Sequence, residues 1–358
     1  MNSKKILYSL LAAVITLSVF TSCEKETENK KIEVKSGIYV LNAGKFKNNN
    51  SSITYYDLNT GFSTGDIFLD KNERGLGDTG QDMLIYGSKM YASIYKSGII
   101  EVIDPKTAKS IKSIKLKDDK DNVRAPRSIN AANGKIYIVL YDGYVAAMDT
   151  ATYSIEKTVK VGANPDGSVI SNNKLYVANT GGMVEGRDKT VSIINLATFE
   201  EIKKVTVNLN PQMVEADNQG NIYVVSNGNY KDIPGKFQCI SNDEKVTDID
   251  IKGAKGFDLV DNKAYIYTFD YDEKWQAINK KIIVYDVIAN KIISNNIVKT
   301  EIIKTPYSID VNPRTKEIYL GVTDYVNNGK MYCFDNQGNQ KYTFTVGINP
   351  CKTVFTNK

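Results

Sequence analysis

Ala132-Asn133-Gly134-Lys135-Ile136-Tyr137-Ile138-Val139-Leu140 is a tight Asn-Gly turn opening into a short β-rich run centred on a tyrosine. The same phrase recurs as GIYVLN around Tyr39, KMYASI around Tyr91, KLYVAN around Tyr176 and NIYVVS around Tyr223. It returns as KAYIYT around Tyr265 and EIYLGV around Tyr319. From Tyr39 to Tyr319 the successive tyrosines lie 52, 46, 39, 47, 42 and 54 residues apart. That spacing is the length of one propeller blade, and seven such units span the chain.

Each unit carries the same companions. A loop of varying length leads to a third strand that ends in an acid or amide. Examples are ITYYD to Asp57, IEVID to Asp104, VAAMD to Asp149, VSIIN to Asn195, IIVYD to Asp286 and MYCFD to Asp335. A short turn and a fourth strand follow, as in Ile155 to Val161. Four strands per unit and seven units predict an all-β, seven-bladed β-propeller over residues 36–358. The recurring acids and amides read as turn caps through their own side chains. The recurring tyrosines read as packing between blades. The first unit begins at its second strand, Gly37 to Leu41, and the last eight residues, Cys351 to Lys358, repeat the first-strand phrase. The C-terminal strand is therefore expected to complete blade one and close the ring, removing two open edges.

The beginning of the chain is of another kind. Lys4 and Lys5 precede a fifteen-residue apolar stretch, Ile6 to Phe20, which ends in Thr21-Ser22-Cys23. This is the layout of a secretory signal, and the stretch is short for a membrane span. Residues 1–22 are read as a signal peptide, and residues 23–35 as Cys23 with a flexible charged tether, Glu24 to Lys31 in its polar part. A cysteine after small residues at this point resembles the cleavage box of bacterial lipoproteins. The resemblance implies lipidation of Cys23, and hence anchoring to a membrane by lipid alone. The acids that follow Cys23 resemble the export signal of Bacteroidota surface lipoproteins, which implies the extracellular face of the outer membrane.

Composition narrows the function. The formal charge is +5, and removing Lys4 and Lys5 with the signal leaves +3, with no long basic block. Nucleic acid is not the expected partner. Cys239, Cys333 and Cys351 remain after Cys23, and each sits in an apolar run that reads as a buried thiol. The chain has no histidine, so a Ser-His-Asp triad, a histidine zinc site and a histidine-ligated haem are all ruled out. Lys117 to Asn122 is oxygen-rich but lacks the glycine and distal glutamate of a calcium loop, and reads as a solvated turn. Asp270, Asp272 and Glu273 are too close in sequence for the opposed carboxylates of glycoside hydrolysis. No catalytic residue, catalytic cofactor or metal ligand is assigned.

In a propeller the loops from second to third strand share one face with the blade-to-blade connections. These loops vary in length here, and they are rich in aromatics and amides, where a rigid scaffold usually carries its binding residues. The candidates are Phe46, Tyr95, Tyr141, Asn179, Asn227, Tyr230, Phe269, Tyr271, Trp275 and Tyr325 from the loops. Arg74, Arg124, Arg127 and Tyr307 come from the connections. Some of these rings are expected to pack back onto their own loops. Tyr153 and Phe199 fall on the opposite, short-turn face.

The lipoprotein box, the acidic tag and the seven YVTN-like repeats together resemble the surface propeller lipoproteins of gut Bacteroidota. Among these the chain is similar to the YncE-like propellers, and to the BtuG-type vitamin B12-binding proteins in particular. That resemblance implies a loop-rich face that binds cobalamin and passes it to a TonB-dependent cobalamin transporter. The residue chemistry is compatible with this. Tyr, Trp and Asn suit a broad, amide-decorated ring, and an arginine suits its single phosphodiester. Two alternatives remain open: a surface propeller for a glycan or a partner protein, and a propeller lyase or hydrolase.

Overall fold

The computed structural model describes residues 37–183, 186–274, 276–299 and 303–356. The signal peptide, Cys23, the tether and Trp275 lie outside the described residues.

Seven four-stranded antiparallel sheets form the blades of a propeller. Their inner strands are Pro350–Phe355 for blade one, then Gly80–Tyr86, Pro126–Ala132, Pro165–Ser171, Pro211–Ala216, Ala254–Val260 and Thr305–Val311 for blades two to seven. The C-terminal strand does complete blade one. It pairs antiparallel with Gly37–Asn42, Ile38 opposite Phe355 and Asn42 opposite Pro350.

The recurring tyrosines explain how the blades stack. Each is buried, and each belongs to an apolar cluster shared with the next blade. Tyr39 packs with Met83 and Met90 of blade two, Tyr91 with Ile129 and Ile136 of blade three, and Tyr223 with Phe257 of blade six. Tyr319 of blade seven meets Ile38 and Val40 of blade one, and its ring lies 5.1 Å from that of Phe355. A blade cannot bury its face alone, so the seven interfaces together make up the core. The acids after the third strands cap turns as expected. Asp149 Oδ1 accepts hydrogen bonds from the amides of Ala151 and Thr152 at 2.9 and 2.7 Å. Asp335 Oδ1 does the same for Gln337 and Asn339.

Two local features depart from the repeat. The outer strand of blade one is reduced to Ser63–Thr64 and is followed by a helix, Ile67–Asn72, the one helix among the described residues. Asp66 caps it by accepting from Leu69, and Phe68 is fully buried beneath it. The stretch 268–280, expected as a loop, is mostly strand. Lys263–Tyr271 and Ala277–Asp286 form a hairpin longer than those of the other blades. Tyr265, Tyr267, Phe269 and Tyr271 alternate with smaller and polar residues along it, a period of two that carries the hairpin out beyond the blade.

Candidate functional site

Every inner strand opens with the same irregularity. Its register against the second strand shifts within the first two to three residues: between Gly80 and Asp82, Pro126 and Ile129, Pro165 and Ser168, Pro211 and Met213, Ala254 and Gly256, Pro306 and Ser308, and opposite Leu41 and Asn42 in blade one. A bulge of this kind re-aims a side chain, and proline at the strand start suits it because no ladder donor is needed there. In blades four, five and one the preceding asparagine, Asn164, Asn210 or Asn349, adopts positive φ. The re-aimed residue after the proline or its equivalent is Gln81, Arg127, Asp166, Gln212, Lys255, Tyr307 or Cys351. All seven line one cavity of about 600 Å³ at the centre of the loop-bearing face.

The wall of this basin is aromatic over blades five to seven. Tyr230, Tyr267, Phe269, Tyr271, Tyr307 and Tyr325 line it. Phe269 and Tyr271 meet edge to face at 5.2 Å, as do Tyr307 and Tyr325 at 6.0 Å. The hydroxyls of Tyr271 and Tyr325 lie 3.2 Å apart, and Tyr267 donates to the Tyr307 carbonyl at 3.0 Å. Gly256 permits this arrangement, since a Cβ there would lie 2.5 Å from the Tyr267 ring. Burial raises the hydroxyl pKa of Tyr267, Tyr307 and Tyr325, so all three stay neutral. Tyr230 is 61% exposed at the rim, with the Arg187 guanidinium 5.1 Å from its ring.

A polar arc crosses blades three to five. Arg127 Nε donates to Asp166 Oδ1 at 2.9 Å, and Asn227 donates to Gln212. Burial disfavours the Arg127 charge, and the Asp166 carboxylate more than offsets it. Arg127 also lies 5.1 and 5.4 Å from the rings of Tyr95 and Tyr141, which meet edge to face at 5.6 Å, and Phe46 lies 6.5 Å from Tyr95. Phe46, Tyr95 and Tyr141 therefore form a second aromatic group beside the basin.

The structure does not bring the remaining candidates to the basin. Arg74 lies against the helix, 4.9 Å from the Phe68 ring, and donates to the buried Glu101 carboxylate at 2.7 Å. Arg124 pairs with Asp142 at 3.0 Å and covers the Tyr144 ring. Asn179 is fully buried, donating to Thr190 and Ser192 at 2.9 Å and accepting from the Gly162 amide at 3.1 Å. It ties strand ends together. On the short-turn face Phe199 is buried, 5.8 Å from Tyr137, and Tyr153 packs against its neighbouring cluster.

Further along the inner strands charged side chains converge near the axis, and Asp82, Glu215 and Lys352 among them belong to the lining of the basin. Lys352 of blade one lies 3.0 Å from Asp310 of blade seven. Asp310 also accepts from the Thr353 amide at 2.9 Å, Asp82 from Ile129 at 2.9 Å and Asp258 from Val311 at 2.6 Å, each bond reaching the next blade. Glu215 accepts no hydrogen bond from the described residues. Burial, then the Asp258 charge, push its carboxyl up to about 8, and burial pushes Asp258 up to about 6. Lys352 is surrounded by protein, yet its side chain keeps 35% of its exposure because it faces the cavity.

Sequence reasoning missed Tyr267, Lys255, Gln81, Asp166, Gln212 and the axial acids. The signal that marks most of them is position, one to five residues past the start of each inner strand. Elsewhere, Asp118 holds its own turn by accepting from the Lys120 and Asn122 amides. Asp272 does the same for Lys274 and Gln276. Among the described residues no group of three or more acids or cysteines is arranged to hold a metal ion.

Comparisons with known proteins agree on the fold. A family model described as a domain of unknown function, DUF5074, matches residues 36–356. No curated protein matches the chain. Solved structures with a similar fold include the hydrazine synthase of Kuenenia stuttgartiensis, at 14% identity and TM-score 0.61 over 76% of this chain and 88% of that one. The computationally designed Ika8 protein is similar at 12% identity and TM-score 0.58, over 89% of this chain and 95% of its own. The dihydro-heme d1 dehydrogenase NirN, solved in complex with DHE, is similar at 12% identity and TM-score 0.57, over 90% and 75%. At these identities the likeness extends to the fold alone.

Proposed function

We propose that this chain, which belongs to the DUF5074 family, is a surface lipoprotein that binds cobalamin in the axial basin and hands it to a TonB-dependent transporter. The observation that carries this reading is the basin itself. It is a cavity of about 600 Å³ whose wall is built from tyrosine and phenylalanine and whose opposite arc ends in amides. Its volume falls within the range of small-molecule sites, roughly 300 to 1,000 Å³, so a ligand of cobalamin's breadth would seat part of its ring and leave the rest over the rim. The neutral tyrosines, two of them joined through their hydroxyls, suit holding a ligand. Glycan or protein capture, or turnover of a bound ligand by a lyase or hydrolase, would use the same face.

Truncating a central aromatic tests the site. Tyr271→Ala and Tyr325→Ala, which break a pair of rings joined through their hydroxyls, are each expected to cost about 2 kcal/mol, roughly thirtyfold in affinity. Phe62, 77% exposed in the short turn between Asp57 and Ser63, is the control, and Phe62→Ala should leave affinity unchanged. Spectral titration with cyanocobalamin reads both. Equal losses for both sets would move the site elsewhere, and no binding by wild type would pass the basin to another ligand.

Anchoring is tested separately. Cys23→Ala should shift the protein from the membrane fraction to the soluble fraction. Retention in the membrane fraction would remove the lipid anchor from the proposal.

A further inference from the structure

Three cations line the basin: Arg127, Lys255 and Lys352. Two are already neutralised, Arg127 by Asp166 and Lys352 by Asp310. Lys255 is different. Among the described residues it makes no ion pair and no hydrogen bond, and its ammonium lies 5.7 Å from the Phe269 ring. It stands on the bulge of blade six, on the aromatic side of the basin, half-buried. Asp270, the acid that acts on it electrostatically, lies beyond ion-pair distance.

A half-buried ammonium without a carboxylate is costly, since partial desolvation is repaid only by a counter-charge. Burial accordingly lowers the Lys255 pKa, with Asp270 offsetting a part. The Phe269 face supplies some compensation through its ring electrons. A ligand oxyanion would complete it through a charge-assisted hydrogen bond.

We infer that Lys255 is the anion-recognising residue of the basin, pairing with a single phosphodiester or carboxylate oxygen carried by the polar ligand that the aromatic wall holds. This rests on the reading of the basin as a binding site and names the chemistry that its ligand must bring. It reassigns the charge contact expected from Arg74, Arg124 or Arg127, each of which is already paired with a carboxylate.

The experiment uses the mature chain with its lysines reductively ¹³C-methylated, so that each ammonium gives its own NMR signal, Lys255→Met serving to assign that of Lys255. The Lys255 signal is expected to titrate below those of the other lysines and to shift when cyanocobalamin is added. In unlabelled protein, Lys255→Met should weaken cyanocobalamin about tenfold, with Lys255→Arg restoring most of the loss. Binding of dicyanocobinamide, which keeps the corrin ring without the phosphodiester, should be the same in wild type and Lys255→Met. If cyanocobalamin does not bind but inorganic phosphate or acetate shifts the Lys255 signal selectively, the anion site stands and the cobalamin reading falls. The stronger of those two anions then tells phosphate from carboxylate. The inference is overturned if no anion or ligand moves the signal, or if Lys255→Met leaves cyanocobalamin affinity unchanged or weakens both corrinoids equally.

Discussion

A chain lacking residues 351–358 is expected to lose the single cooperative melting transition of the closed ring. The missing strand covers one whole edge of Gly37–Asn42, in which Ile38 to Leu41 are fully buried. With it go the Tyr319–Phe355 ring contact at 5.1 Å, the Thr353 amide that satisfies Asp310, and the Thr356 hydroxyl that bonds both the Gly37 amide and carbonyl. At about 1 kcal/mol for each net hydrogen bond, with the apolar cover added, the loss exceeds about 5 kcal/mol. For a domain of this size that lowers the melting temperature by on the order of 7 °C. The deletion also leaves the edge of Gly37–Asn42 open, so aggregation on heating should increase. Calorimetry reads the transition, and a synthetic peptide covering 350–358, added in trans, should recover part of it. A deletion variant that melts within about two degrees of wild type would refute ring closure as a source of stability.

The axial charges give the second large effect, and it depends on pH. Lys352 faces Asp310 at 3.0 Å and is also within the electrostatic reach of Asp82, Asp258 and Glu215, so acids of blades two, five, six and seven meet on a cation from blade one. Replacing one partner of a buried ion pair costs about 3–5 kcal/mol. The Lys352 side chain keeps 35% of its exposure, so Lys352→Met is expected to cost about 1–3 kcal/mol at pH 8 after screening. The loss should shrink toward pH 5, because protonated carboxyls need no counter-charge. Wild type should show a related slope. Glu215, pushed up to about 8, and Asp258, pushed up to about 6, hold their protons more tightly folded than unfolded. Between the ordinary carboxylate range near 4 and pH 8 the folded state therefore binds more protons, and stability falls as pH rises. Glu215→Gln should flatten this slope, on the order of 2 kcal/mol across that window. Chemical denaturation at pH 5, 6.5 and 8 separates the outcomes. A Lys352→Met loss that is the same at all three values would mean that the axial acids do not share its charge.

The sequence by itself determined the blades, their number, the turn caps and the closure. These rest on local rules: a period of two along short β-rich runs, tight turns containing Asn or Gly, and an acid or amide that folds back onto neighbouring backbone amides. Such signals act within a few residues, and the repeat presents them again in blade after blade. The sequence also located the face that carries the basin, because loop length and composition vary there and nowhere else. Tyr271, Tyr307 and Tyr325 were legible for that reason.

Which side chains meet was decided only by the tertiary structure. Arg74, Arg124 and Arg127 look equivalent in the sequence, yet one lies against the Phe68 ring and pairs with Glu101, one pairs with Asp142 over the Tyr144 ring, and one is paired with Asp166 in the basin. Lys255 carries no distinguishing mark in the sequence, and its place follows from a bulge that turns one residue of every inner strand toward the axis. Asp82, Glu215, Asp258, Asp310 and Lys352 are far apart in the chain and come from five blades. Only closure of the ring brings them together, because the axis of a propeller is the one place where every blade contributes a strand and none can be read from its own neighbours.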